Sequence, residues 1–475
     1  MLWRKPMLTS KKSKDLCLEV IKSNPLLASY VQDWPYESKL LSADLLSYLP
    51  NLRNVGYMLA SSFRPEKLNK AWHLQRIDHL DYCATDGPEV FQSLTMLCPR
   101  LEKLTIRINS LNQVSDFTKW MNLEKVASLK HLKIINSDYG VENSQTYFLR
   151  GFVSIFPNME SLDIESYAFS GHEVDGLSSH CAKLCGLSIV TTTLSQYQIN
   201  GLARELKRGL GKRLNKLQLC VSRTSRSPLS LVNVFTSLGS LVELSLYRFE
   251  LDDNTLNSLA ICTRGTLTKL QLGFISPPTS GYFFYQRSAQ LWEEFFAGVG
   301  DSLVDITFNE SFGNFRDMIS FAVSKYCSRL QKLTVKYHED NFVCPIIRGC
   351  GRSLRHLEYS ECFVTEGALS TVFDYAFNLQ SLIIMEHKHN AHRPKADSLK
   401  FKDFIHRSRC ALRTLTMTGV DIEGDVLAQI GEYGHKLVHL NLDRIHAAQE
   451  ERTIIDDLRR ANPNLRNIQI ELAKP

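Results

Sequence analysis

An α/β solenoid, with a parallel sheet on its concave face and helices on its convex face, is the fold this sequence predicts, and three observations predict it. The phrase apolar-x-x-apolar-x-apolar is written sixteen times between Leu52 and Ile470, in steps of 22 to 36 residues. Inside each phrase the apolar positions alternate with polar ones. Between phrases, capping residues and apolar residues at helical spacing recur. A period of this length suits a strand followed by a helical return, the pattern of a leucine-rich-repeat horseshoe.

The phrases start at Leu52, Leu74, Leu101, Leu129, Met159, Leu184, Leu214, Leu241, Leu267, Leu303, Leu330, Leu354, Leu379, Leu412, Leu437 and Leu465. In Leu101-Glu102-Lys103-Leu104-Thr105-Ile106-Arg107 the period of two turns Leu104 and Ile106 inward and Lys103, Thr105 and Arg107 outward, which is a strand. One unit buries its apolar edge only against the next copy, so the strands stack in parallel and the intervening chain returns over the other surface. The returns read as helices. Asp252-Asp253-Asn254-Thr255 offers caps ahead of Leu256, Leu259 and Ala260, and the same cue stands at Thr365-Glu366-Gly367-Ala368-Leu369 and at Asp421 to Leu427.

Two regions follow: residues 1–30 as a basic tail and capping helix, and 31–475 as one solenoid of about sixteen repeats. Parallel strands spaced roughly 4.8 Å apart would line an inner surface of about 75 Å, enough to embrace a folded protein. With 56 basic and 50 acidic residues interspersed throughout, the formal charge of +6 does not argue for nucleic acid. No apolar run is long enough to span a bilayer, and the first six residues lack the apolar block of a secretory signal, so a soluble protein of cytoplasm or nucleus is expected, without membrane contact and monomeric outside its complex. Residues 4–14 are basic and read as a solvated tail.

Twelve cysteines are placed by the repeat. Cys98, Cys181 and Cys327 stand three residues ahead of the first leucine and Cys410 two ahead, where cysteine behaves as a small buried hydrophobe. Cys181 with Cys185, and Cys344 with Cys350, lack a second pair at zinc spacing, so no metal and no cofactor is expected. Reduced thiols fit an intracellular compartment.

The phrases Leu97-Cys98-Pro99-Arg100-Leu101-Glu102-Lys103-Leu104-Thr105-Ile106, Cys327 to Val335 and Leu437-Val438-His439-Leu440-Asn441-Leu442 resemble the cysteine-containing leucine-rich repeats of F-box proteins, over nearly the whole chain. Asp15 to Val31 is similar to the segment that joins box and repeats in many fungal members. The resemblance implies a substrate-recognition subunit, with the array capturing a protein substrate or client and a Skp adaptor and cullin as further partners. The Leu-Pro-x-Glu opening of the box itself is not visible, and the polar position eight residues after the first leucine is kept only by Asn109 and Cys362, with Phe249, Ile275 and Val420 elsewhere.

Parity places Lys103, Arg107, His131, Lys133, Lys216, Lys269, Lys332 and Lys336 on the concave face as cations, and Asp163, Glu165, Glu243, Asp305 and Glu358 as acids. Lys103, Arg107 and Lys133 on adjacent repeats could clamp an acidic segment, with Lys332 and Lys336 as further contacts. Thr307, Thr334, Thr414, Thr416 and Thr418 fit strand propensity. Insertions in a solenoid emerge as loops. The longest step carries Tyr282, Phe283, Phe284 and Tyr285, candidates for partner contact, before Leu291 to Phe296 resumes a helix with Trp292 and Phe295 in the core. His387, His389 and His392 read as a polar loop, and Ser222 to Pro228 as a linker or a phosphorylation site. No phosphate loop, His-Glu-x-x-His or Gly-x-Ser-x-Gly occurs, so no enzyme is expected. A ligase-independent scaffold and a GTPase-activating repeat protein are the alternatives.

Overall fold

In the computed structural model the described residues are 17, 19–34, 48–58, 76–83, 91–92, 95–96, 98–108, 124–136, 153–168, 174–222, 229–276, 284–309, 315–386, 394–408, 411–447 and 451–473. They form two units, Met1–Gly239 and Ser240–Pro475. Each is a parallel sheet with helical returns, the α/β leucine-rich-repeat class.

The first unit contains β1 (Asp33–Trp34), β2 (Asn54–Met58), β3 (His79–Cys83), β4 (Lys103–Ile108), β5 (His131–Asn136), β6 (Ser161–Ala168), β7 (Gly186–Thr193) and β8 (Lys216–Val221). Each pairs in parallel with the next. Leu80, Leu104, Leu132, Leu162, Leu187 and Leu217 fall in one register row, each at most 1% exposed. Burying a leucine fully stabilises by about 1.5–3 kcal/mol, so that row forms a continuous spine.

The register corrects the second repeat. His79 pairs with Lys103 and Leu80 with Leu104, so Ile77, not Leu74, is the equivalent of Leu101. Leu74-Gln75-Arg76-Ile77 imitates the opening of the phrase, but the phrase itself is Ile77-Asp78-His79-Leu80-Asp81-Tyr82, with Tyr82 completely buried in place of a leucine. A further coil precedes Leu52. The Arg53 and Asn54 amides donate to the Gln32 carbonyl, which makes Val31 the counterpart of Leu52. Its signal is Val31-Gln32-Asp33-Trp34-Pro35-Tyr36, the same phrase with aromatic residues for leucines.

The second unit contains β9 (Glu243–Glu250), β10 (Lys269–Ser276), β11 (Asp305–Asn309), β12 (Lys332–Lys336), β13 (His356–Cys362), β14 (Ser381–Glu386), β15 (Thr414–Thr418), β16 (Ile422–Glu423), β17 (His439–His446) and β18 (Asn467–Leu472). The pairing is again parallel and sequential, except that β15 and the short β16 both pair with β17. One carbonyl just ahead of each strand accepts two amides of the next repeat: Val242 takes Thr268 and Lys269, and Thr268 takes Val304 and Asp305.

The returns are α1 (Pro25–Tyr30), α2 (Leu177–His180), α3 (Gln196–Lys207) and α4 (Val232–Phe235) in the first unit. In the second they are α5 (Asp253–Thr263), α6 (Phe284–Val299), α7 (Arg316–Tyr326), α8 (Asp340–Cys350), α9 (Glu366–Tyr375), α10 (Ser398–Ser408), α11 (Asp425–Tyr433) and α12 (Glu451–Ala461). Two expected caps form: Asp252 accepts the Thr255 amide at 2.8 Å and Thr365 accepts that of Ala368 at 3.3 Å. The third does not. Asp421 is engaged by Arg444 at 2.7 Å, Ile422–Glu423 is strand, and α11 starts behind Gly424 without a side-chain cap. Trp292 and Phe295 of α6 are fully buried, as expected, with Phe296 beside them.

Repeats of the second unit share a backbone device. Arg248, Tyr337, Glu361 and Arg444 have φ of 56–61°, and Gly419 has +80°. All five stand seven residues after the first leucine of their repeat. The left-handed step turns the following residue inward, and Phe249, His338, Cys362, Val420 and Ile445 are buried accordingly. The position expected to carry a polar ladder is therefore core, which suits the apolar Phe249, Val420 and Ile445, while His338 is a buried polar occupant. Cys362 at that position still joins two repeats, its Sγ accepting the His338 amide at 3.4 Å and donating to the Val335 carbonyl at 3.7 Å, and further side-chain bonds run elsewhere: Thr266, Ser302 and Ser353, each just ahead of a first leucine, donate to the carbonyls of Leu241, Leu267 and Leu330 at 2.7–2.9 Å. Asn462, three ahead of Leu465, donates to the Leu437 carbonyl at 3.2 Å, and Cys181 at the same position donates to the Val153 carbonyl at 3.7 Å. Cysteine here is thus a weak donor as well as a small apolar group.

Candidate functional site

Burial alternates along the strands, reading exposed, buried, intermediate, buried, intermediate, buried on both β4 and β8. One face of each sheet carries the leucine rows and the other is left bare by the described residues. The bare face is the candidate site, and the strands hold its side chains in fixed register.

In the first unit Arg107 of β4 reaches back to Asp81 of β3, its Nε 3.1 and 3.2 Å from the two carboxylate oxygens and its Nη2 3.1 Å from one of them. The Asp81 side chain is 4% exposed and that of Arg107 23%. Burial pushes the Asp81 carboxyl up to about 7, with the Lys133 ammonium opposing the shift. The guanidinium fork also favours the ionised form. Lys133 bonds Glu165 at 2.6 Å, diagonally across to β6, and His131 Nδ1 lies 2.8 Å from Ser161 Oγ. Burial raises the Asp163 carboxyl, while Lys133 and Lys216 lower it. Lys103 is exposed at the start of β4; burial first, and this ammonium second, hold the His79 imidazole below its usual range.

In the second unit the outermost row reads Glu243, Lys269, Asp305, Lys332 on four consecutive strands, so the charges alternate across the sheet. Lys332 lies 3.3 Å from Asp305, and Lys336 bonds Glu358 diagonally at 3.4 Å. The middle row is Ser245, Gln271, Thr307, Thr334, Glu358, Ile383, Thr416, Asn441 and Gln469, mostly small or neutral. At its far side, Gly273 makes room for the Tyr247 ring: a Cβ there would stand 2.3 Å from the ring and 2.7 Å from the Asn309 carbonyl. The Arg248 guanidinium sits 5.4 Å from the centre of that ring.

The structure therefore places Lys103, Arg107 and Lys133 on neighbouring strands and Lys332 and Lys336 together on β12, all on the bare face. Arg107, Lys133, Lys332 and Lys336 are each ion-paired to an adjoining strand. Tyr282 and Phe283 lie outside the described residues, and Phe284 and Tyr285 are the first residues of α6. The tail at 4–14, the three insert histidines and residues 223–228 also lie outside. Sequence reasoning missed Asp81, the alternation of the outer row and the Tyr247 ring; reading one column down successive repeats would have shown the alternation. Among the described residues no cluster of His, Cys, Asp or Glu could hold a metal, and no helix is long and apolar enough to cross a membrane.

No protein-family profile matches the chain, and no curated protein does. Among solved structures it is similar to a chain of the crystal structure of the Rad7 and Elc1 complex in yeast, at 15% identity and a TM-score of 0.35, covering 66% of this chain and 74% of that one. A likeness of that degree bears on neither partner nor activity.

Proposed function

We propose that the chain is a protein-interaction scaffold whose bare sheet faces capture a partner protein, and that it serves as a substrate-recognition subunit of the F-box type. One observation carries the reading: the middle row of the second unit holds nine side chains in unbroken register on one sheet face, and all but the buried Thr334 are open to solvent. Backbone pairing fixes those groups before any partner arrives, so little ordering entropy opposes association. The ion pairs among Asp305, Lys332, Lys336 and Glu358 keep the face near neutrality, which favours a mixed-charge protein surface over a polyanion. Tyr247 supplies a large, stiff contact at one end.

Two variants test it with little risk to the fold. Thr416→Arg plants a long cation in the middle row, and Tyr247→Ala removes the ring. Quantitative affinity purification should recover a set of proteins with the native chain and lose it with either variant. A set unchanged in both would refute capture by this face. Recovery of a Skp adaptor with a cullin supports the ligase role; a client recovered without them leaves the scaffold and removes the ligase.

A further inference from the structure

Acidic residues are not evenly spread along this chain. From Leu206 to Val242 seven basic residues occur and no acid, a local excess larger than the formal +6 of all 475 residues. Arg223 and Arg226 lie outside the described residues; Lys207, Arg208, Lys212, Arg213 and Lys216 are in the first unit. The same stretch holds a short return. Ser230 is tied to Gln196 at the start of α3 by two bonds of 3.1 and 2.8 Å, and beyond the end of α3 the Gly239 amide donates to the Gly211 carbonyl at 3.0 Å. Residues 230–239 therefore run alongside 196–211, and the helix they contain, α4, has four residues against twelve in α3.

A shorter chain over the same span leaves part of one flank of α3 without a neighbour. Asn200, Ala203, Arg204 and Lys207 stand at i, i+3, i+4 and i+7, on one face of the helix. Between that face and α4 opens a cleft of about 640 Å³ whose lining includes Asn200, Arg204, Lys207, Lys212, Asn233 and Thr236, all exposed. Ala203 and Leu206, both buried, give it an apolar floor. Among the described residues neither an acid nor an aromatic lines it, and Arg204, Lys207 and Lys212 have no ion pair. Glu205, the one acid of α3, is fully buried on another flank, where it accepts the Ser178 amide and hydroxyl at 3.2 and 2.9 Å and binds Arg208 at 2.6 Å. Its charge is thus committed away from the cleft.

We infer that this cleft docks an acidic helix of a partner protein, laid beside α3 in the place a full-length return would take, with its carboxylates facing Arg204, Lys207 and Lys212. Asn200 to Lys207 spans about 10 Å, two helical turns, so glutamates three and four residues apart on one face of the incoming helix come opposite successive cations. Charge complementarity selects the partner and the apolar floor receives its aliphatic stems. A nucleic acid fits less well, because single strands bind by stacking bases on aromatic rings and the cleft has none. The returns cover the leucine rows, so this surface lies on the opposite side of the sheet from the bare face, and its test is independent of the capture proposed there.

The test uses the full chain and a fluorescein-labelled, alanine-rich helical peptide with glutamates three and four residues apart along one face, read by anisotropy, with a lysine-for-glutamate peptide as the control. Arg204→Gln with Lys207→Gln, at exposed positions, should weaken binding by about tenfold or more, and raised salt should weaken binding to the native chain. Thr236→Trp fills the cleft without altering charge and should cost about fivefold or more, which a diffuse attraction to basic surface would not show. Arg100→Gln with Lys183→Gln removes the same charge elsewhere in the first unit and should stay within about twofold of the native value. Far-ultraviolet circular dichroism matching that of the native chain shows that each variant is folded. No binding of the glutamate peptide by the native chain up to about 1 mM, equal binding of the lysine peptide, or an unchanged affinity in either cleft variant would overturn the inference. So would tighter binding of anionic phospholipid vesicles or of a single-stranded oligonucleotide than of the peptide, lost in the same Arg204 and Lys207 variant.

Discussion

Replacing Arg107 by alanine leaves the Asp81 carboxylate nearly buried with three hydrogen bonds removed. Breaking one side of a buried pair costs about 3–5 kcal/mol, and because the Arg107 side chain is 23% exposed, so that water can enter, the lower end, about 3 kcal/mol, is expected at pH 8. The loss depends on pH with a definite sign. Burial already lifts the native Asp81 carboxyl to about 7, above the ordinary range near 4 of the unfolded chain, and loss of the guanidinium, which favours the ionised form, lifts it further. A carboxyl raised by folding favours the folded state when protonated, so relative to the native chain the penalty grows as the pH rises above about 7 and fades below it, where both chains carry the carboxyl protonated. The assay is urea unfolding at pH 8 and pH 5, followed by amide exchange of peptides from β3 to β5, because a solenoid need not unfold as one unit. Asp81→Ala combined with Arg107→Ala should recover most of the loss. A cost for Arg107→Ala below about 0.5 kcal/mol, or one that grows on acidification, would refute the reasoning.

Gly419→Ala is expected to destabilise the second unit by about 1–3 kcal/mol, since alanine resists a φ of +80° and its Cβ would stand 2.7 Å from that of Glu386. Glu361→Gly at the matching position should do the reverse by about 0.5–1 kcal/mol, relief of the left-handed strain exceeding the entropy of glycine; midpoints of urea unfolding measure both. Burial pushes the thiols of Cys98, Cys181, Cys262, Cys350 and Cys362 to about 12. At pH 8 about one in ten thousand of each is thiolate, so native alkylation read by mass spectrometry should leave all five unmodified and complete denaturation should expose every one of them.

Much of the fold was legible because burial repeats. Leu104, Leu162 and Leu244 announce inward positions by their spacing, and the covered face of every strand follows from parity. Leu74 misled because a four-residue match precedes the true phrase, and only pairing with β4 tells Ile77 from it. Val31 and Trp34 went unread because an aromatic replaced the leucine. The left-handed residue at the strand end is invisible in Tyr337 or Arg444, whose side chains carry no preference for that conformation; only Gly419 hints at it. For the site, sequence gave the sign of each outward charge but not its commitment. Whether Arg107 addresses a partner or Asp81 is decided by a diagonal reach between strands, which no spacing along one repeat encodes.

The alternation of a covered and a bare face underlies every functional statement above, and cysteine scanning along β15 measures it directly. Thr414→Cys, Thr416→Cys and Thr418→Cys should react rapidly with a polar maleimide, while Leu415→Cys and Met417→Cys, at positions with no exposed surface, should react only when the chain unfolds. Five similar rates, or fast reaction at 415 and 417, would contradict the account.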